Sequence, residues 1–202
     1  QEVLDRAEAA YADLRDFFGF DPVFERGRRM RITLYRRAKF AEVTGLASWA
    51  GGAFDGTVRL PVNNLNDDLH QMSLLLRHEL THAFLDAAPT HGAVPGWLNE
   101  GLAQYLSGEK EIVLKRARAV LDGHLVPLAE LTGAFSSLSD SNSVARAYTQ
   151  SLVAVDAIAY RFGERMLAEL IAELTLPIDE AAEKVTPQAR LEAAFLAKTS
   201  WP

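Results

Sequence analysis

The chain has 202 residues, 49% of them hydrophobic and 24% charged, which is typical of a globular protein with a substantial core. Its formal net charge of −6 argues against a nucleic-acid-binding surface, and no apolar run approaches the ~20 residues that span a bilayer. The absence of cysteine excludes disulfides and thiolate metal ligands.

The N-terminal part of the chain is predicted to contain one helix and a small sheet. Residues 2–18 carry apolar side chains at helical spacing, and Gly19 and Pro22 end this helix. Alternation and glycine-bearing turns predict strands at residues 31–35, 40–43, 47–50 and 57–62. We expect these strands to form an antiparallel sheet within a β-rich lobe of about residues 1–65.

The chain begins at Gln1, inside the first predicted helix, with no start methionine or signal peptide. We therefore expect a processed or trimmed protein. An extracytoplasmic location fits this expectation if an upstream signal was removed.

The rest of the chain is predicted to be helical. Asn66 or Asp67 is the expected N-cap of a helix that runs to about Ala88, before Pro89. Further helices are predicted at residues 96–108, 109–122, 143–162, 164–175, 178–185 and 188–198. The predicted fold class is α+β: an N-terminal helix and a small antiparallel sheet, then a mostly helical lobe of about residues 66–202, all in one domain over residues 1–202.

The helix predicted to end near Ala88 carries the sequence His78-Glu79-Leu80-Thr81-His82. Two histidines four residues apart project from the same helical face, so both imidazoles can reach one zinc ion at about 2.0–2.1 Å. Glu79 points off that face and can take a proton from a zinc-bound water, its role in metalloproteases with this motif. Apolar flanks make the helix largely buried, and a metal would offset the desolvation of these polar groups.

A catalytic zinc site needs three protein ligands and one open position. Glu100 follows eighteen residues after His82, within Asn99-Glu100-Gly101-Leu102-Ala103, and is the expected third ligand. No fourth ligand is evident nearby, so a closed structural zinc site is less favoured.

These two motifs together resemble the gluzincin metallopeptidases, the clan of thermolysin and aminopeptidase N. The string Trp97-Leu98-Asn99-Glu100-Gly101-Leu102-Ala103 is similar to the W-L-N-E-G-F-A of aminopeptidase N-like enzymes. The small bacterial peptidase MA-like domain is the nearest resemblance, over about residues 30–165, and implies a zincin-like fold and a zinc cofactor. A third, less specific block begins at Tyr148, and the resemblance implies that its hydroxyl stabilises the oxyanion of the tetrahedral intermediate.

The chain also departs from related patterns. Aminopeptidase N-like enzymes have a glutamate before the zinc helix that grips the free amine of the substrate, whereas residues 51–56 contain none. We therefore predict an endopeptidase acting on peptide or protein substrates. Phe84, Leu85 and Ala88 occupy the positions after His82 where a metzincin needs glycine and a third histidine, so that class is rejected.

The predicted strand at residues 57–62 has two interpretations. Pro61 lacks a backbone N–H and suits an edge strand. The resemblance implies that such an edge holds an extended peptide as an added strand, a general binding mode. The alternative is a plain structural edge, and the sequence leaves both open.

Several other residues are candidates for roles at the site. Asp86 and Gln104 lie one helical turn beyond a predicted ligand and either contact its outer edge or are ordinary polar groups. Three histidines are predicted non-ligands: His70, His91 and His124. Trp49 and Trp97 are predicted core aromatics, Asn99 has a structural role, and the arginines at positions 26–37 are read as solvated positions beside strands.

The predicted function is thus zinc-dependent hydrolysis of peptide bonds. His78, His82 and Glu100 bind zinc, Glu79 activates the zinc-bound water, and Tyr148 assists at the oxyanion. The alternative is a zinc-containing module that is latent or only binds its partner.

Overall fold

The computed structural model describes residues 2–22, 30–45, 51–62, 69–88, 94–135, 138, 140–174 and 185–199. In these ranges the elements are, in chain order, α1 (Glu2–Phe18), β1 (Ile32–Arg36), α2 (Arg37–Thr44), β2 (Ala53–Phe54), β3 (Val58–Val62), α3 (Leu69–Asp86), α4 (Gly96–Ser107), α5 (Lys110–Leu121), a 3-10 turn (Leu128–Glu130), α6 (Ser141–Phe162), α7 (Glu164–Leu174) and α8 (Pro187–Thr199). The described part of the protein is therefore mostly helical with one small sheet, which is compatible with the predicted α+β class.

The chain divides into two compact units. The first comprises residues 1–87 and 106–108, and the second comprises residues 88–105 and 109–202. Within the described residues, no helix is long and apolar enough to cross a membrane.

In the first unit, α1 packs along α3. Leu14 is fully buried, and the ring of Phe18 stacks on that of Phe84 with centroids 5.5 Å apart. At the rim of this contact, Arg77 Nη1 lies 2.6 Å from Asp13 Oδ2. Because apolar packing supplies most of the stability of such helices, α1 is the support that holds α3 in place within this unit.

The sheet of the first unit is mixed, so the predicted antiparallel sheet is only partly correct. The strand order is β1-β3-β2, with β1 parallel to β3 and β2 antiparallel to it. A parallel pair needs a crossover connection, and the chain between β1 and β3 includes α2. Residues 40–43, predicted as a strand, belong to that helix. Its segment is rich in good helix formers, and it ends at Gly45 with φ 69°.

The strand predicted to be an edge is the central one. β3 lies between β1 and β2, with Tyr35 opposite Pro61 in the parallel register. Pro61 is tolerated because β2 is only two residues long and pairs with Val58 and Arg59 alone. Among the described residues, β2 therefore has no pairing with the proline-bearing half of β3. Both interpretations of residues 57–62 took this strand as an edge, and that position is wrong.

The second unit is built from helices, with α5 packed on α6, α6 on α7 and α7 on α8. Asp140 caps α6 by accepting hydrogen bonds from the backbone N–H groups of Asn142 and Ser143 at 3.0 and 2.9 Å. Lys110 Nζ lies 2.6 Å from Asp156 Oδ1, which ties the start of α5 to α6.

Most predicted helices are confirmed, with ends that differ by up to two residues. Three predictions lie outside the described residues: the strand at 47–50, the N-cap at Asn66 or Asp67, and, apart from Val185, the helix at 178–185.

Candidate metal centre

Helix α3 presents the two histidines of the motif on one face. The imidazole centroids of His78 and His82 are 4.9 Å apart and the rings are inclined at 75°. Both side chains are half-buried, whereas Leu80, Ala83 and Phe84 are fully buried around the helix. The buried residues fix the rotation of α3, and that rotation leaves both imidazoles accessible to a ligand.

Glu79 lies between the histidines in sequence and is buried, with 5% of its surface exposed. The backbone of Gly52, just before β2, lies directly against its side chain. A Cβ placed on Gly52 would be 2.8 Å from both Cγ and Cδ of Glu79 and closer still to Oε1. The Glu79 carboxyl group is therefore confined by this backbone within the first unit.

The N-terminus of α4, which carries Glu100, is tied to the segment before α6. The backbone N–H groups of Gly96 and Trp97 donate to the carbonyls of Thr132 and Leu131 at 2.9 and 2.7 Å. These bonds satisfy two of the donors that a helix leaves unused at its start. The first turn of α4 is thereby held in place inside the second unit.

Gly101 lets α4 approach α6 closely at the position next to Glu100. A Cβ on Gly101 would lie 2.5 Å from the carbonyl oxygen of Ser151 and 2.6 Å from Cγ2 of Val155. Ser151 and Val155 are both fully buried. The glycine of the Asn-Glu-Gly sequence is therefore needed for helix packing, and this packing sets the position of Glu100.

Gln104 and Tyr148 lie at the same helix contact. Gln104 Nε2 donates to the backbone carbonyl of Tyr148 at 2.9 Å and to that of Glu100 at 3.3 Å. The Tyr148 ring packs edge-on against Phe135, with centroids 5.2 Å apart. Tyr148 is half-buried and lies two turns inside α6.

Three of the predicted site residues form a group that can hold a metal ion. His78, His82 and Glu100 each offer one ligand atom, and these atoms all lie within 4.8 Å of one another. Two imidazole nitrogens and a carboxylate oxygen are donors that suit zinc and other divalent transition metals. The three side chains therefore fit the ligand set that the sequence predicted.

The other candidate histidine, aromatic and acidic residues have more ordinary surroundings. His70 and His124 are exposed and lie outside the group formed by His78, His82 and Glu100. Trp97 is 3% exposed and donates from Nε1 to Gln188 Oε1 at 3.0 Å, so it is a core aromatic. Asp86 is exposed at the end of α3. His91 and Trp49 lie outside the described residues.

Sequence reasoning gave no packing role to two glycines that support the site, Gly52 and Gly101. It also missed Gln150, whose buried side-chain amide pairs with the peptide group of Val126 and ties α6 to the loop after α5. The one signal available in the sequence was Gly101, a glycine directly after the predicted ligand Glu100.

Comparison with known protein families supports the resemblance to peptidase MA-like domains. A family model of the peptidase MA superfamily matches residues 38–186, well over half of the chain. The chain therefore belongs to the peptidase MA superfamily. Neither the curated proteins nor the solved structures give a significant match. Family membership suggests a metallopeptidase type of hydrolysis.

Proposed function

We propose that this protein is a zinc-dependent endopeptidase. The single observation that carries the proposal is the convergence of ligand atoms from His78, His82 and Glu100, within 4.8 Å of one another. Membership of the peptidase MA superfamily adds a reaction class to that ligand set.

Zinc is the metal that the donors favour. Catalytic zinc sites use three protein ligands from histidine and carboxylate and keep one position open. Among the described residues, the metal group has three members and no fourth. When bound there, zinc would act as a Lewis acid that polarises the scissile carbonyl and makes a water molecule acidic near neutral pH.

Glu79 is the proposed general base. Its carboxylate accepts a proton from the water whose oxygen attacks the scissile carbonyl carbon. It then gives that proton to the leaving amine as the carbon–nitrogen bond breaks. Its side chain is 5% exposed and confined by the backbone of Gly52. Such confinement favours a fixed geometry for proton transfer.

Tyr148 is the proposed oxyanion donor. Packing against Phe135 restricts its ring, and its half-exposure leaves part of the side chain open to a ligand. A hydroxyl aimed at the developing negative charge would contribute a few kcal/mol to transition-state stabilisation. We expect Tyr148→Phe to lower kcat more than it changes KM.

An endopeptidase is favoured over an aminopeptidase because residues 51–56 lack a glutamate that could bind a free amine. Peptides of one sequence with free and acetylated N-termini test this point. Equal cleavage rates at an internal bond are expected. Cleavage restricted to the peptide with the free amine would contradict endopeptidase action.

The central test is cleavage of unfolded casein by purified protein, with and without a chelator, alongside elemental analysis. We expect one zinc per chain and cleavage that the chelator abolishes. Glu79→Gln is expected to retain zinc and to lower turnover by about 10²–10⁴-fold, because it removes the base but keeps the shape. Glu8→Gln, at an exposed position on α1, is the matched control and should leave turnover unchanged.

Two outcomes would overturn parts of this proposal. Stoichiometric zinc without cleavage of casein or of a complex peptide pool would favour the latent or binding module. Turnover of the Glu79→Gln variant close to that of the parent protein would exclude Glu79 as the base.

A further inference from the structure

The two glycines before β2 have an unusual relation to α3. Neither Gly51 nor Gly52 has the positive φ that favours glycine. Their backbone conformation is therefore open to any residue, and a turn requirement does not explain them. What both positions lack is room for a side chain, because each would place a Cβ against a residue of α3.

The two positions differ in what they would meet. A Cβ at Gly51 would approach only Cδ2 of Leu75, at 2.8 Å. That atom is the end of an aliphatic side chain, which can rotate away at modest cost. A Cβ at Gly52 would meet three atoms of Glu79, including Cγ, so rotating the carboxyl group alone would not relieve the contact.

We infer that Gly52 is a positioning residue for Glu79, because its missing side chain lets the backbone before β2 confine the Glu79 carboxyl group. Any side chain at position 52 would force Glu79 into another rotamer. Since Glu79 is 5% exposed, the packed surroundings leave few rotamers to adopt. The catalytic meaning of this inference rests on the proposed function, whereas the physical contact does not.

A double-mutant cycle tests the contact without any need for activity. Thermal unfolding is measured with chelator present, so that metal binding does not contribute. Gly52→Ala is expected to lower Tm by roughly 2–12 °C, the range for overpacking in a protein of this size. In the Glu79→Ala background the same substitution should lower Tm by less than half as much, because the obstructing side chain is gone.

Two controls separate the effect of the shape of the Glu79 side chain from that of its charge and from the effect of adding a methyl group anywhere in this segment. In the Glu79→Gln background the cost of Gly52→Ala should persist, because glutamine has the same shape as glutamate without its charge. Gly51→Ala should no longer lower Tm in a Leu75→Ala background, whereas in a Glu79→Ala background it should lower Tm as it does in the parent protein. The two neighbouring glycines would thus be assigned to two different partners on α3.

The outcomes are decisive even when a variant fails to fold. If Gly52→Ala is unfolded but the double variant Gly52→Ala/Glu79→Ala folds, the contact is supported. If both are unfolded, or if the two substitutions are additive within experimental error, Gly52 does not act through Glu79 and the inference fails.

Activity supplies the functional readout. If the parent protein cleaves casein, Gly52→Ala should lower kcat by about 10–100-fold with little change in KM or zinc content, as expected for a misplaced catalytic group. Gly51→Ala should remain within about twofold of the parent. Equal activity of the two variants would overturn the positioning role. A parent protein without activity would refute the proposed function while leaving the cycle as an independent test of the contact.

Discussion

Gly101→Ala offers a sharp test of how helix α4 is placed on α6. An alanine in the interior of a helix normally stabilises it by about 0.5–1 kcal/mol relative to glycine. Propensity alone therefore predicts a more stable protein. The packing of Gly101 against α6 predicts the opposite sign.

The magnitude follows from the close approach. The added Cβ would lie 2.5 Å from the carbonyl oxygen of Ser151, well short of the 3.4 Å at which ordinary van der Waals contact begins. That oxygen belongs to the backbone of a helix, so it cannot rotate away. Overpacking of this kind costs about 1–3 kcal/mol. Because the obstructing atom is rigid backbone, we expect the upper part of that range, about 2–3 kcal/mol. After the propensity gain, the net loss in the free energy of unfolding is then about 1–2.5 kcal/mol.

Urea denaturation followed by circular dichroism measures this loss. Gly133→Ala is the matched control, because it makes the same chemical change where a Cβ would meet nothing within 4 Å. That variant should be as stable as the parent or up to about 1 kcal/mol more stable. Gly101→Ala should also weaken zinc retention on dialysis, since any shift of α4 moves the neighbouring Glu100.

A Gly101→Ala variant as stable as the parent would refute the reasoning. That result would mean that α4 and α6 do not approach through Gly101 as closely as the structure places them.

Two further predictions concern single ionisable groups. Asp140→Ala should lower Tm by about 2–4 °C through loss of the α6 cap. Asp140→Asn should keep most of the stabilising effect of the cap, because asparagine also caps helices well. The hydrogen bonds from Ser143 hold the pKa of Asp140 below its usual value, so its stabilising effect is present above the ordinary aspartate pKa and is lost as pH falls through the lowered one. Burial, together with the hydrogen bond to Asp21, raises the pKa of Tyr11 to about 12. Its contribution to stability should therefore be lost as pH rises from about 10 to 12. The tyrosinate absorbance of the parent minus that of Tyr11→Phe should rise with a midpoint near pH 12, and Asp21→Asn should lower that midpoint.

Much of the helical structure could be predicted because its signals are local. The apolar spacing of residues 2–18 and the glycine after them predict α1, and the structure has it at Glu2–Phe18. The His78–His82 spacing likewise predicts a pair of imidazoles on one face, and the rings lie 4.9 Å apart.

The sheet was harder to predict because strand order and direction depend on distant pairings. The short segment at residues 40–43 is apolar except for Glu42, and so short a segment fits a strand or a turn of helix equally well. Pro61 pointed to an edge, yet β3 is central because its neighbour β2 is too short to reach the proline.

By itself, the sequence determined the spacing of His78, Glu79 and His82 along one helix, because dihedral angles within a single turn set those positions. It also singled out Glu100 through its motif. Only the tertiary structure decided that the backbone of Gly52 confines Glu79 and that Gly101 seats α4 on α6. Such contacts join residues far apart in the chain, so they depend on the packed arrangement of whole elements and leave little trace in local periodicity.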